Sequence, residues 1–223
     1  MRKLVAAAFV SLDGVMQAPG GPREDPTGGF TEGGWTVNYW DDVMGRHMDE
    51  SFGQPFDLLL GRKTYEIFAA YWPFVGEDDP IGQAFDRVTK YVATSSTAPL
   101  TWVNSVALNG DVAARVAELK RGEGPTLLTQ GSSVLLQTLL AHDLVDEFRV
   151  MTFPVLLGPG KKLWGSGVHP AALRLASTKV STTGVIISAY EPAGAIKTGS
   201  FPGPDPSEAE KARQARMARD DDW

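Results

Sequence analysis

A chain of 223 residues, 43% hydrophobic and 22% charged, has the balance of a globular protein with one large domain. Its net charge of −6 argues against a nucleic-acid surface, which needs a basic face. The absence of cysteine excludes disulfides, thiolate nucleophiles and Cys-held metals, and His47, His142 and His169 lack metal-ligand spacing, so no metal site is expected. No apolar run reaches the roughly 18 residues of a membrane span, so no membrane partner is expected either.

Residues 3–11 form a near-continuous apolar run, the pattern of a strand buried on both faces. Ser11-Leu12-Asp13-Gly14 interrupts that run too early for a secretory signal, and the segment reads as the first strand of a cytoplasmic protein. Residues 17–34 are rich in Gly and Pro and too long for a turn, which predicts a functional or mobile loop. Tyr39, Val43, Met44, His47, Met48 and Phe52 recur at helical spacing and predict a helix over 39–52. Leu58-Leu59-Leu60 is a strand that stops at Gly61; residues 63–70 and 81–88 read as helices. Tyr91-Val92-Ala93-Thr94 and Trp102-Val103 read as short strands. Asn109-Gly110-Asp111 is a turn and cap before a helix that stops at Gly122. Residues 126–129 and 148–155 are further strands, with a helix over 134–140 between them. Residues 173–180 and 185–190 form a hairpin around Thr182-Thr183-Gly184.

Strands alternating with helices and closed by a hairpin imply an α/β fold of three layers. Its centre is a mixed, mostly parallel sheet flanked by helices, with an antiparallel C-terminal hairpin. The domain spans residues 1–193. Beyond it, residues 194–223 form a charged, Pro-containing tail expected to be flexible or loosely helical. In such a sheet the ligand crevice lies beyond the carboxyl ends of the strands.

One local device occurs twice there. An apolar strand runs into a glycine, and a helix begins at once: Leu60-Gly61-Arg62-Lys63-Thr64 and Thr129-Gln130-Gly131-Ser132-Ser133-Val134. A helix start carries unpaired N–H groups and partial positive charge, and glycine lets a phosphate approach the backbone. Two such starts on one sheet suit the pyrophosphate of one dinucleotide. A lone strand–Gly–helix junction is common, and Ser or Thr there is as readily a simple cap. Arg62 beside one junction, with Ser95 and Ser96 after the third strand, suits a ribose 2′-phosphate and hence NADPH. Its plainer role is an i,i+4 ion pair with Glu66. Gly158-Pro159-Gly160-Lys161-Lys162 lacks the spacing of a P-loop, and no histidine sits in a hydrolase triad context.

The order of these pieces resembles the dihydrofolate reductase superfamily. The segments Leu144-Val145-Asp146-Glu147-Phe148-Arg149-Val150 and Pro154-Val155-Leu156-Leu157-Gly158-Pro159-Gly160-Lys161-Lys162-Leu163-Trp164 are similar to the reductase domain of the bifunctional riboflavin-biosynthesis deaminase/reductase and its stand-alone relatives. The resemblance covers roughly residues 2–192. It implies NADPH as cofactor and hydride transfer to a small substrate, pteridine- or pyrimidine-like. Gly61, Arg62, Lys63 and Thr64 would then touch the adenosine-side phosphates, Ser95 and Ser96 the 2′-phosphate, and Gly131, Ser132, Ser133 and Val134 the pyrophosphate. The loop at Asp13 would cover the nicotinamide. Asp13, Asp41 and Asp42 are the candidate proton donors, beside bound water; Trp35, Tyr39 and Trp40 are candidates to stack on the substrate, or else apolar anchors. The resemblance also implies a homodimer, with residues 147–154 and the hairpin as its sheet interface. Two departures stand out: the family often has Gly-Gly where this chain has Gly131-Ser132, and none of the helix aspartates aligns clearly with the pteridine-binding acid. A ligand sensor that kept the fold and lost catalysis is the alternative.

Overall fold

A computed structural model describes residues 1–165 and 168–219. Strands β1 (Leu4–Ser11), β2 (Phe56–Gly61), β3 (Lys90–Ala93), β4 (Ser105–Leu108), β5 (Thr126–Gln130), β6 (Glu147–Phe153), β7 (Leu173–Val180) and β8 (Ile186–Pro192) form one sheet, in the order β4-β3-β2-β5-β1-β6-β8-β7. Every pairing from β4 to β6 is parallel. The pairings of β8 with β6 and with β7 are antiparallel, as the sequence hairpin predicts, so β8 alone runs against the other strands.

The alternation along β1 sorts the helices into two layers. Leu4, Ala6, Ala8 and Val10 pack with Val116 of α4 (Val112–Arg121) and Leu135, Leu136 and Leu139 of α5 (Ser133–Ala141). The opposite face carries Val5 and Phe9. These meet Met44 of α1 (Asp42–Phe52), Tyr65 of α2 (Arg62–Ala69) and Phe85 of α3 (Pro80–Arg87). Leu58, Leu59, Leu60 and Leu127 are wholly inaccessible, each worth about 2 kcal/mol of burial.

Two elements differ from the sequence reading. The first helix begins at Asp42, because the Asp41 carboxylate accepts the Met44 N–H at 2.9 Å and caps it there. Tyr39 belongs to a separate 3-10 turn, Val37–Tyr39. Trp102-Val103 is not a strand. The indole is buried, the Trp102 N–H donates to Tyr65 Oη at 2.9 Å, and Asn104 at φ +57° turns the chain into β4 just beyond. Residues 17–34 form the expected loop, built around a buried side chain. The Gln17 amide donates to the carbonyls of Asp25 and Thr27 and accepts the Lys161 N–H. In the tail, α6 (Glu208–Met217) is a solvent-facing helix capped by Ser207 and laced by i,i+3 pairs such as Lys211–Glu208. Residues 220–223 of the expected tail lie outside the described residues.

Candidate active site

β2 and β5 are neighbours in the sheet, so the two glycine junctions at their ends lie side by side. Ser132 ties them together: its Oγ accepts the Gly61 N–H at 3.0 Å and donates to Thr64 Oγ1 at 3.0 Å. Gly131 (φ +65°) and Ser132 (φ +59°) are consecutive left-handed residues, which is how the chain leaves the strand and enters α5. A β-carbon on Gly131 would stand 2.8 Å from Met16 Cε. Gly61 has an ordinary extended backbone and room for a β-carbon, so a left-handed backbone favours glycine only at the second junction, where a β-carbon would also push the Met16 side-chain tip aside.

The helix caps separate these two helices from the rest. Among the described residues, α1, α3, α4 and α6 each begin on a side chain that accepts a first-turn N–H: Asp41, Asp79, Asp111 and Ser207. α2 and α5 have no side-chain cap and no acid in the first turn. Ser132 stands in the capping position of α5, yet its hydroxyl is spent on the neighbouring junction. The first turn of α2 even carries two cations, Arg62 and Lys63, at the positive end of the helix dipole. Both uncapped starts face one large cavity.

That cavity has a volume of about 830 Å³ and runs past the carboxyl ends of β2, β3 and β5 and alongside β1. Every residue predicted to touch a coenzyme lines it: Gly61, Arg62, Lys63, Thr64, Ser95, Ser96, Gly131, Ser132, Ser133 and Val134. Arg62 does hold Glu66, at 2.6 Å, but its Nη1 also donates to the Ala98 carbonyl at 3.0 Å, which draws the guanidinium to the turn carrying Ser95 and Ser96. Val134 lines the cavity while 82% exposed, an apolar side chain with no packing role in the fold.

The predicted proton donors are elsewhere. Asp13 does not line the cavity; it accepts from the Ser11 hydroxyl at 2.6 Å and from the N–H groups of Leu157 and Gly158. The Ser11 hydroxyl first, then those amides, hold its carboxyl down at about 2, so it is ionised at neutral pH and ties two loops together. Asp41 is the α1 cap and also binds the amide and hydroxyl of Thr182 through Oδ2; those bonds lower its pKa. Asp42 is exposed on α1 outside the cavity. Of the three candidate stacking aromatics, Trp40 alone reaches the cavity, with its ring edge-on to Phe9 at 6.2 Å. Trp35 is a core residue 5.2 Å from Phe153, its indole N–H donating to the Gln17 carbonyl; Tyr39 packs on the same phenylalanine at 5.9 Å.

Several cavity residues escaped the sequence reading. Phe9, Met48, Phe52, Ile67, Phe68 and Trp72 form an apolar wall where α1 and α2 approach β1. The helical spacing of Met48 and Phe52 marks these two as inward-facing but does not say that a space is left beside them. Glu24 lines the same cavity from the Gly/Pro-rich loop. Its Oε2 accepts the N–H groups of Gly20 (2.6 Å) and Gly21 (3.2 Å). Burial raises the Glu24 pKa above its ordinary value, outweighing both amides. Its neighbour Asp25 is also partly buried but is held down by the Lys161 ammonium and the Thr27 hydroxyl. An acid in a loop already flagged as functional was the available signal for both.

The parallel sheet, the hairpin at its edge and the crevice over two glycine-opened helices define a dihydrofolate-reductase-like α/β fold. A solved putative riboflavin biosynthesis protein from Shewanella sp. PV-4 superposes with a TM-score of 0.59 at 18% identity, over 85% of this chain and 98% of that one. Dihydrofolate reductase from Enterococcus faecalis, solved in complex with NADP(H) and RAB-propyl, gives 0.54 at 16% identity, over 86% and 96%. Among curated proteins, the uncharacterized protein YyaP of Bacillus subtilis (strain 168) is 26% identical over 196 residues, 85% of this chain and 94% of the relative. The family model for the RibD C-terminal domain matches residues 2–187, and the chain belongs to that family.

Proposed function

We propose that this chain is a cytoplasmic NADPH-dependent reductase that delivers hydride to a C=N or C=O bond of a small, flat, heterocyclic substrate. The observation that carries the reading is the pair of uncapped helix starts facing one cavity. Unpaired first-turn amides aimed at a cavity, with Arg62 and Lys63 beside them, fit an anionic diphosphate and have no partner among the described residues. The bound nicotinamide would supply the hydride. The amides at the start of α5 would hold the pyrophosphate, and Ser132 keeps the α2 start at a fixed spacing from it. Arg62, held over the residue 95–98 turn, would take the 2′-phosphate. The loop of residues 17–34 forms one wall, which would shield the reacting carbon from bulk solvent. Since Asp13, Asp41 and Asp42 lie off the cavity, the proton reaches substrate from water within it or from a carboxyl that lines it.

The test is a titration of NADPH into the wild type and Ser133→Asp. A carboxylate in the first turn of α5 complements the helix dipole, by about 0.3–1 kcal/mol, while occupying the anion site. The expected result is an unchanged or raised melting temperature with NADPH binding weakened by more than about tenfold. Equal NADPH affinity in both proteins refutes the reading; binding without turnover over a broad carbonyl and imine panel points to the sensor.

A homodimer belongs to the same proposal. β6 is interior, between β1 and β8, so it cannot meet a second copy edge to edge. The edges of the sheet are β4 and β7; on the hairpin side the edge is β7, exposed along its whole length and carrying Leu173, Leu175 and Val180. Sedimentation equilibrium of the wild type and a Leu175→Lys variant tests it: dimer for the first, monomer for the second. A monomeric wild type rejects it.

A further inference from the structure

Resting on that reading, we propose that Glu66, which lies outside the cavity, sets the preference for NADPH over NADH by holding the Arg62 guanidinium where its remaining donors can take a 2′-phosphate. Arg62 opens α2 and lines the cavity; Glu66 stands one turn further along the helix and does not. Glu66 Oε1 accepts from Arg62 Nε at 2.6 Å, and the Ala98 carbonyl accepts from Nη1 at 3.0 Å. A guanidinium is planar and rigid, so bonds from two directions fix both its position and its rotation. Nη2, with both of its N–H groups, has no partner among the described residues and is left for an anion.

Stability does not account for the ion pair. The Glu66 side chain is 55% exposed, and a base placed ahead of the acid is the weaker order for an i,i+4 pair. The base also stands in the first turn, against the helix dipole. The second anchor is itself braced. Thr94 Oγ1 accepts the Ser96 N–H at 3.0 Å, and Ser96 Oγ accepts the Ala98 N–H at 3.1 Å, which fixes the residue whose carbonyl pins Nη1. The Ser96 oxygen is thus used within the turn, whereas the Ser95 hydroxyl lines the cavity with no hydrogen bond among the described residues.

A long side chain ordered beforehand loses less rotamer freedom when it binds, and that gain reaches only a ligand that meets the guanidinium. Glu66 also has an opposing effect, because its negative charge repels a phosphate, but exposure to solvent screens this. Replacement by Gln removes the charge and keeps an acceptor; replacement by Ala removes both.

The experiment titrates NADPH and NADH separately into the full-length wild type, Arg62→Ala, Glu66→Ala and Glu66→Gln at one salt concentration. The readout is the ratio of the two dissociation constants, with NADH, which lacks the 2′-phosphate, as the reference for the rest of the site. Glu66→Ala is expected to lower the preference for NADPH by about fivefold or more, through NADPH alone. Glu66→Gln is expected to retain at least about half of the wild-type preference. Both Glu66 variants should melt within about 2 °C of wild type, as an exposed pair contributes little to stability. An unchanged or raised preference in Glu66→Ala overturns the proposal, as does equal weakening of both coenzymes or a Glu66→Gln as impaired as Glu66→Ala. A wild type that does not bind NADPH, or an Arg62→Ala that weakens both coenzymes alike, defeats the coenzyme assignment itself, so the two failures are distinguishable.

Discussion

Ser132 concentrates the physical argument into one side chain, and its replacement separates two opposing effects. The residue is buried, stands at φ +59°, and makes both bonds that join the helix starts. Ser132→Ala keeps the left-handed backbone and removes both bonds. The Gly61 N–H then has no acceptor, at a cost of about 1–3 kcal/mol, and the expected loss of stability is about 2 kcal/mol. Ser132→Gly removes the same bonds but relieves the left-handed strain of a residue with a β-carbon, worth roughly 1 kcal/mol after glycine's extra unfolded-state freedom is counted. Its expected loss is therefore about 1 kcal/mol. Equilibrium urea unfolding reads both: midpoints should fall in the order wild type, Gly, Ala, with a common slope. An alanine variant as stable as wild type, or a glycine variant no better than alanine, refutes the reasoning.

Arg62→Ala should weaken NADPH by about 10–100-fold and NADH much less, since only NADPH presents a 2′-phosphate to the guanidinium. Equal losses for both coenzymes, measured by fluorescence titration, would remove the assignment. Asp13 has a folded pKa of about 2 against an ordinary 3.8, so its contribution is present above pH 3.8 and is lost as pH falls through about 2. Asp13→Asn should cost about 1 kcal/mol at pH 7, discounted for partial exposure, and much less at pH 2, where the folded carboxyl is about half protonated; a pH-independent cost in urea unfolding would contradict the ionised-clamp reading.

The sheet was legible because its strands are short apolar runs bounded by Gly, Asp or Pro, and because alternation with helices forces parallel pairing. β4 was missed because Trp102 looks like strand sequence but is buried as an anchor under Tyr65, and the strand proper sits at the sheet edge with Val106 exposed. The two junctions that line the cavity were legible because strand–glycine–helix is a local signature whose chemistry lies in the backbone. The acids were not. Asp41 and Asp42 open a helix, and at such a position a carboxylate serves the helix's own amides before any ligand. Asp13 follows a strand whose loop bonds it back to Leu157 and Gly158, partners 144 and 145 residues away. Glu24 reaches the cavity only because Gln17 organises the loop between them, a tertiary effect with no periodicity to betray it.

The most direct test of the central claim is a crystal structure of the full chain with NADPH. The account predicts the pyrophosphate on the amides that open α5, the 2′-phosphate beside Arg62 and Ser95, and the nicotinamide pointing toward Phe9 and Met48. NADPH bound on another surface, or bound here with its phosphates turned away from both helix starts, would contradict it.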